Sequence, residues 1–315
     1  MTADGGAPAR NLQRNLEAAA PSRRSLAEQL ATLGDYCFFA ILRRLPTDFV
    51  SDIGARLALA RGPTVFRDAH ERSLANLKRL RPELSDEERQ KMAMSRWDNI
   101  GRLMTEFAVL ERLMREGRVT IEGQEHLVAA RAVADGRGMI MLGMHLGNWE
   151  VYSPAMASLG LAMTAFYEPP VSRSRDLISR AVRARLGVEL VAPEQADVRP
   201  AIRALAAGKH LGVFGDESPH GRVRAPFFGR PPDIGGNLAN IVRFARRTNS
   251  VILPGYVLRV RKARFNFCFL PPIVLEAEET PGARLLEDVE RLNGVIEPLI
   301  CAHADQWYYL HDFLS

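Results

Sequence analysis

The spacing of apolar residues changes character near Gly117. Upstream, Leu26, Leu30, Leu33, Cys37, Phe38, Ile41 and Leu45 recur at spacings of three and four, which predicts an amphipathic helix over residues 25 to 45. The helical rhythm persists from 47 to 115. Within it, Ser85 followed three residues later by Glu88 forms a capping box that opens a helix running to about Arg115. Downstream, short apolar runs alternate with helical stretches. Strands are predicted at 138–143, 162–167, 187–191, 210–214, 250–258 and 264–270. Helices are predicted between them at about 124–135, 149–158, 174–186, 196–207 and 236–247, with a last one at 282–303. This alternation implies an α/β fold with a mostly parallel central sheet flanked by helices. The chain divides into a tail at 1–24, expected to be disordered, a helical region at 25–116 and an α/β region at 117–315 continuous with it.

Composition narrows the class. With 315 residues, 47% hydrophobic and 25% charged, the chain can bury a sizeable core. The net charge is +5 and much of the positive charge is arginine, whose forks suit phosphates. Three anionic partners fit: nucleic acid, a phospholipid or phosphorylated glycolipid, and an acidic carrier protein. Arg23, Arg24, Arg43 and Arg44 flank the first helix. That helix reads either as lying on an anionic membrane surface, with the arginines reaching the phosphates, or as packing into the core with solvated arginines. The best candidate for a membrane span, Tyr36 to Leu42, falls far short of the ~20 apolar residues a span needs. Cys37, Cys268 and Cys301 are far apart and without metal-ligand spacing, so they read as reduced thiols with neither a metal site nor a disulfide framework.

The chemistry concentrates in "MLGMHLGNWEVYSP", residues 141–154. In an open α/β sheet, reactive groups sit beyond the carboxyl ends of strands, and His145 follows a predicted buried strand directly. Asn148 is a natural cap for the next helix, and Glu150 lies in its first turn. A carboxylate folded back onto one ring nitrogen would fix the histidine tautomer and leave the other nitrogen to take a proton from a bound hydroxyl. Trp149 reads equally as a shaper of this loop or as a core anchor. No G-x-S-x-G elbow accompanies the histidine.

"HLGNWE" resembles the H-x-x-x-x-D/E motif of the lysophospholipid acyltransferase superfamily. It is most similar to the form found in bacterial late acyltransferases of lipid A biosynthesis and in phosphatidylinositol mannoside acyltransferases. The resemblance continues in order through "RARLG" (183–187), the stretch from Ile202 to Pro232 and the tail from Arg291 to Phe313. It implies a glycerolphosphate-acyltransferase-like fold and an O-acyltransferase without cofactor or metal. The donor would be acyl-carrier protein or acyl-CoA, and the acceptor a hydroxyl on a lipid A precursor or related lipid. The setting would be the cytoplasmic face of the bacterial inner membrane, peripheral or monotopic. By motif position His145 is the general base and Glu150 the carboxylate that orients it, with Asn148 shaping the substrate-side loop. Arg183 or Arg185 would hold an acyl carbonyl, oxyanion or phosphate, and Asp216 would pair with that arginine. The chain departs from the family pattern at Asp233-Ile234, at Ala304-Asp305 and in its final residues, which leaves the acceptor open.

Arg222, Arg224 and Arg230 surround Phe227 and Phe228, a mixture able to grip a phosphorylated headgroup beside an acyl chain or to stack on single-stranded nucleic acid. No zinc-finger spacing or RNP signature supports the second use, so nucleic acid is not expected. Two further readings stand beside the acyltransferase. One is a thioesterase, in which water replaces the acceptor hydroxyl. The other is a non-catalytic lipid- or nucleic-acid-binding protein.

Overall fold

The computed structural model describes residues 25–191, 198–216 and 223–312. The tail at 1–24 and Arg222 lie outside the described residues. The helical region begins with α1 (Leu26–Leu42), whose N-terminus carries a reciprocal capping box between Ser25 and Glu28. It continues through α2 (Thr47–Val65), α3 (Arg67–Leu80) and α4 (Asp86–Glu106). The predicted Ser85–Glu88 box caps α4. The helix expected to reach Arg115 instead stops at Glu106. A 3₁₀ turn (Phe107–Val109) follows, and Val109 leaves the helical backbone region with φ −115° before α5 (Leu110–Arg115) begins.

The α/β region contains β1 (Val119–Glu122), α6 (Gln124–Ala134), β2 (Ile140–Gly143), α7 (Tyr152–Ser158), β3 (Met163–Phe166), α8 (Arg173–Arg185) and β4 (Val188–Val191). After α9 (Arg199–Ala206) come β5 (His210–Phe214), α10 (Asn237–Thr248), β6 (Ile252–Arg261), β7 (Arg264–Phe269) and α11 (Leu285–Ala302). All six predicted strands form. The strand β1 was not predicted: its four residues alternate half-buried and exposed at a sheet edge, so they carry no buried apolar run.

The strand order is β1-β7-β6-β2-β5-β3-β4, and every pairing is parallel except β6 with β7. Because β2 is central and buried on both faces, all four of its residues are apolar or glycine. One core cluster joins β2 and β5 to α10 and α11, and a second joins the other sheet face to α6 and α7. Helix α1 stands apart. Its predicted apolar stripe faces outward, with Leu26, Leu30, Leu33, Phe38 and Ile41 all exposed, while Leu42 packs with Val50, Ala108 and Val109. Among the described residues, no helix is long and apolar enough to cross a membrane.

Candidate active site

Strands β2 and β5 are parallel neighbours, with Gly143 level with Phe214. Two residues further along each chain lie His145 and Asp216. Simple register therefore sets them side by side at the carboxyl ends of the central strands. The imidazole Nδ1 of His145 lies 2.8 Å from Oδ1 of Asp216, and the His145 backbone N–H donates to Oδ2 at 2.8 Å. The indole of Trp307 donates to the same Oδ2 at 2.8 Å. Asp216 is wholly buried and His145 nearly so. A carboxylate on Nδ1 holds the proton there and places the basic lone pair on Nε2.

Aromatic rings wall in the imidazole. Phe214 lies 4.3 Å from it between centroids, and Trp149 and Tyr309 each lie 5.0 Å away, edge-on. The Trp149 ring also meets Tyr308 at 5.0 Å, so Trp149 shapes the loop, while the wholly buried tryptophan of the core is Trp307.

The structure exchanges the partners expected for the two carboxylates. Glu150, expected on the imidazole, binds the guanidinium of Arg183 at 2.7 Å. Asp216, expected on the arginine, takes the imidazole. The reason lies in how each residue is carried. Asp216 follows a strand directly paired with β2, whereas Glu150 sits in a 3₁₀ turn (Trp149–Val151) beside the last turns of α8. Arg183 is held further by Ser179 and flanked by the rings of Tyr167 and Phe107, 5.0 and 5.7 Å from its guanidinium carbon.

The remaining predicted residues scatter. The side chain of Asn148 caps the turn by accepting from the Glu150 N–H at 3.2 Å, as its residue type predicts. It is fully buried, and its amide donates to Glu106 at 2.8 Å, so it supports the loop from behind. Arg185 lies two residues from Arg183, which turns it to another helix face, where it pairs with Glu111 at 2.6 Å. Arg224 pairs with Asp233 at 3.0 Å, a residue at which the chain departs from the family pattern. Arg230 donates to the carbonyls of Phe227 and Pro226 and so braces its own loop; burial pushes its pKa down.

Several residues at this site went unnoticed in the sequence. Glu106 is wholly buried and bonded to both terminal nitrogens of Arg259. Asn99 donates to the Gly147 carbonyl at 2.9 Å, and the Gln306 carbonyl accepts from the Gly147 N–H at 3.1 Å. Tyr308 N–H donates to the His145 carbonyl at 3.0 Å. Gln306, Trp307 and Tyr308 fall within the family-like tail from Arg291 to Phe313, but nothing in that tail marks a contact with the His145 loop. Glu106 and Arg259 look like ordinary surface charges, because nothing local marks a contact across 153 residues.

The model of the bacterial lipid A biosynthesis acyltransferase family matches residues 16–314. Among solved structures, the chain is similar to the 1-acyl-sn-glycerophosphate (LPA) acyltransferase PlsC from Thermotoga maritima. The identity is 14%, the match covers 86% of this chain and 97% of that chain, and the TM-score is 0.38. No curated protein matches. With the family model spanning almost the whole chain, His145 motif and C-terminal tail included, the protein belongs to the bacterial lipid A biosynthesis acyltransferase family and is an acyltransferase.

Proposed function

We propose that the protein moves a fatty acyl group from a thioester, on acyl-carrier protein or coenzyme A, to a hydroxyl of a lipid A precursor or related lipid. One observation carries this reading: His145 sits at the carboxyl end of the central sheet with its Nδ1 on Asp216. Nε2 of His145 takes the proton of the acceptor hydroxyl as its oxygen attacks the thioester carbonyl. The tetrahedral intermediate then expels the thiolate, the C–S bond breaks, and the imidazolium returns its proton to the sulfur. The substrate's own hydroxyl is the nucleophile, so the enzyme needs no serine or cysteine in that role.

Arg183, fixed by Glu150, is the cation for the carbonyl oxygen or an acceptor phosphate. Arg185, Arg224 and Arg230 are each tied to groups of the chain itself and contribute through the general positive potential that draws an acidic carrier or an anionic lipid surface. The exposed apolar face of α1, with Arg43 and Arg44 at its end, lies on the membrane in this reading and keeps the cleft at the lipid surface. That surface would be the inner membrane's cytoplasmic face.

The test is transfer of label from radioactive acyl-carrier protein into a bacterial lipid extract, wild type beside His145→Ala. Label entering one lipid class, and lost with the variant, is the expected result and names the acceptor. Release of label only as free fatty acid would make the protein a thioesterase.

A further inference from the structure

The loop that carries His145 is held from behind by charge. Arg259, near the end of β6, places Nη1 2.6 Å and Nη2 2.9 Å from the two oxygens of Glu106, the last residue of α4. The side chain of Glu106 is wholly buried and that of Arg259 is 7% exposed. Each partner then reaches the HLGNWE loop. Glu106 accepts from the Asn148 amide at 2.8 Å. The Arg259 Nε donates to Asn99 at 2.8 Å, and Asn99 in turn donates to the Gly147 carbonyl at 2.9 Å. The Arg259 backbone is tied to the Gln306 side chain in both directions, and the Gln306 carbonyl accepts from the Gly147 N–H.

Gly147 thus has fixed partners at both its N–H and its carbonyl, and Asn148 is held by its side chain. The backbone it must hold is unusual. Gly147 has φ +56°, and a Cβ there would lie 2.5 Å from the Val257 carbonyl oxygen, so the loop presses directly on β6. A buried ion pair is a poor source of net stability compared with apolar side chains of the same volume. Its worth here is geometric, because a bidentate guanidinium–carboxylate pair is planar and directional.

We propose that Glu106 and Arg259 are positioning residues for acyl transfer. Their ion pair fixes the Gly147–Asn148 peptide, and with it the place of His145 and Glu150 on either side. This rests on the reading of His145 as the base. It has a consequence that a merely structural pair would not have: the chemical step is impaired while donor binding and the fold survive.

The experiment compares wild type, Arg259→Lys, the double variant Glu106→Leu/Arg259→Met, and Leu127→Ala, a core change in α6 remote from the site. Each is measured for melting temperature, for kcat and donor KM in acyl transfer, and for amide hydrogen exchange across residues 145–150. The double variant removes both charges together and is expected to stay folded. Its exchange at 145–150 rises and its kcat falls by about tenfold to a hundredfold, with donor KM within about twofold. Arg259→Lys keeps the charge without the fork and falls between it and wild type. Leu127→Ala lowers the melting temperature and leaves both exchange at 145–150 and kcat near wild type. Unchanged exchange at 145–150 in the double variant would overturn the proposal, as would a kcat loss no larger than that of Leu127→Ala. His145→Ala is run in parallel: full activity there would overturn the base assignment and its catalytic consequence, while the exchange data still decide whether the ion pair holds the loop.

Discussion

Helix α1 leaves Leu26, Leu30, Leu33, Phe38 and Ile41 open to solvent, whereas the loop after β2 and the groups behind it bury His145, Asn148, Glu106 and Asp216. Both regions invert the usual partition of apolar inside and polar outside. Singly, an exposed leucine means little, because much of any protein surface is apolar. A whole helical stripe of them is different: it is an unpaid desolvation cost until another apolar phase covers it. The buried polar set is the mirror image. Burying such groups is costly unless each is paired, and here carboxylates, amides and a guanidinium satisfy one another. The difference separates two kinds of function. In the proposed reading, the stripe leaves water for a lipid surface and the network holds the site's atoms still.

The comparison breaks most sharply at His145. His145→Ala is expected to lower the acyl-transfer rate by about 10²- to 10⁴-fold, without loss of fold, in a steady-state assay with labelled donor. Arg183→Ala is expected to cost about a hundredfold, in kcat if the guanidinium meets the developing oxyanion and in acceptor KM if it holds a phosphate. On the other region, Leu30→Glu with Leu33→Glu should release the protein from anionic vesicles in a sedimentation assay. Each buried leucine contributes roughly 1.5–3 kcal/mol, so binding should drop at least tenfold while transfer to a detergent-dispersed acceptor persists.

The smallest effect concerns pH. Burial pushes the pKa values of His70, His210 and His311 below their ordinary value of 6.5, with Arg96 adding to the shift for His70 and His311 and Arg131 for His210. In each case a donor meets one ring nitrogen: Trp97 donates to His70, the Met139 N–H to His210 and the Arg96 guanidinium to His311. The unfolded chain therefore binds more protons than the folded one between the depressed values and 6.5. Stability should be full above pH 6.5 and decline as the pH falls below it, read as a falling melting temperature between pH 7 and 5. A flat profile would mean that these histidines are hydrated.

Much of the architecture is legible in the sequence because periodicity is local. The six central and flanking strands announce themselves as apolar runs, and β1 does not, because an edge strand with one half-buried face looks like loop. The candidate site is legible only in part, for the same reason. Asn148 as a cap follows from its residue type and position, and His145 follows from its place beyond a strand. The pairing of carboxylates does not follow. Sequence proximity favours Glu150 for His145, yet strand register, which is set across 71 residues, delivers Asp216. Glu106 and Arg259 are still less visible, since a charged residue reads as surface until its partner is known.

The most direct measurement is therefore the acyl-transfer rate of Asp216→Asn beside Glu150→Gln, with folding verified for both. An asparagine amide at 216 donates to Nδ1, so the imidazole proton moves to Nε2, where it blocks base catalysis. A loss of about 10⁴-fold, comparable to that of His145→Ala, is the expected result, with a smaller loss for Glu150→Gln. An Asp216→Asn enzyme that stays near wild-type rate while Glu150→Gln is inactive would contradict the account and make Glu150 the carboxylate that serves His145.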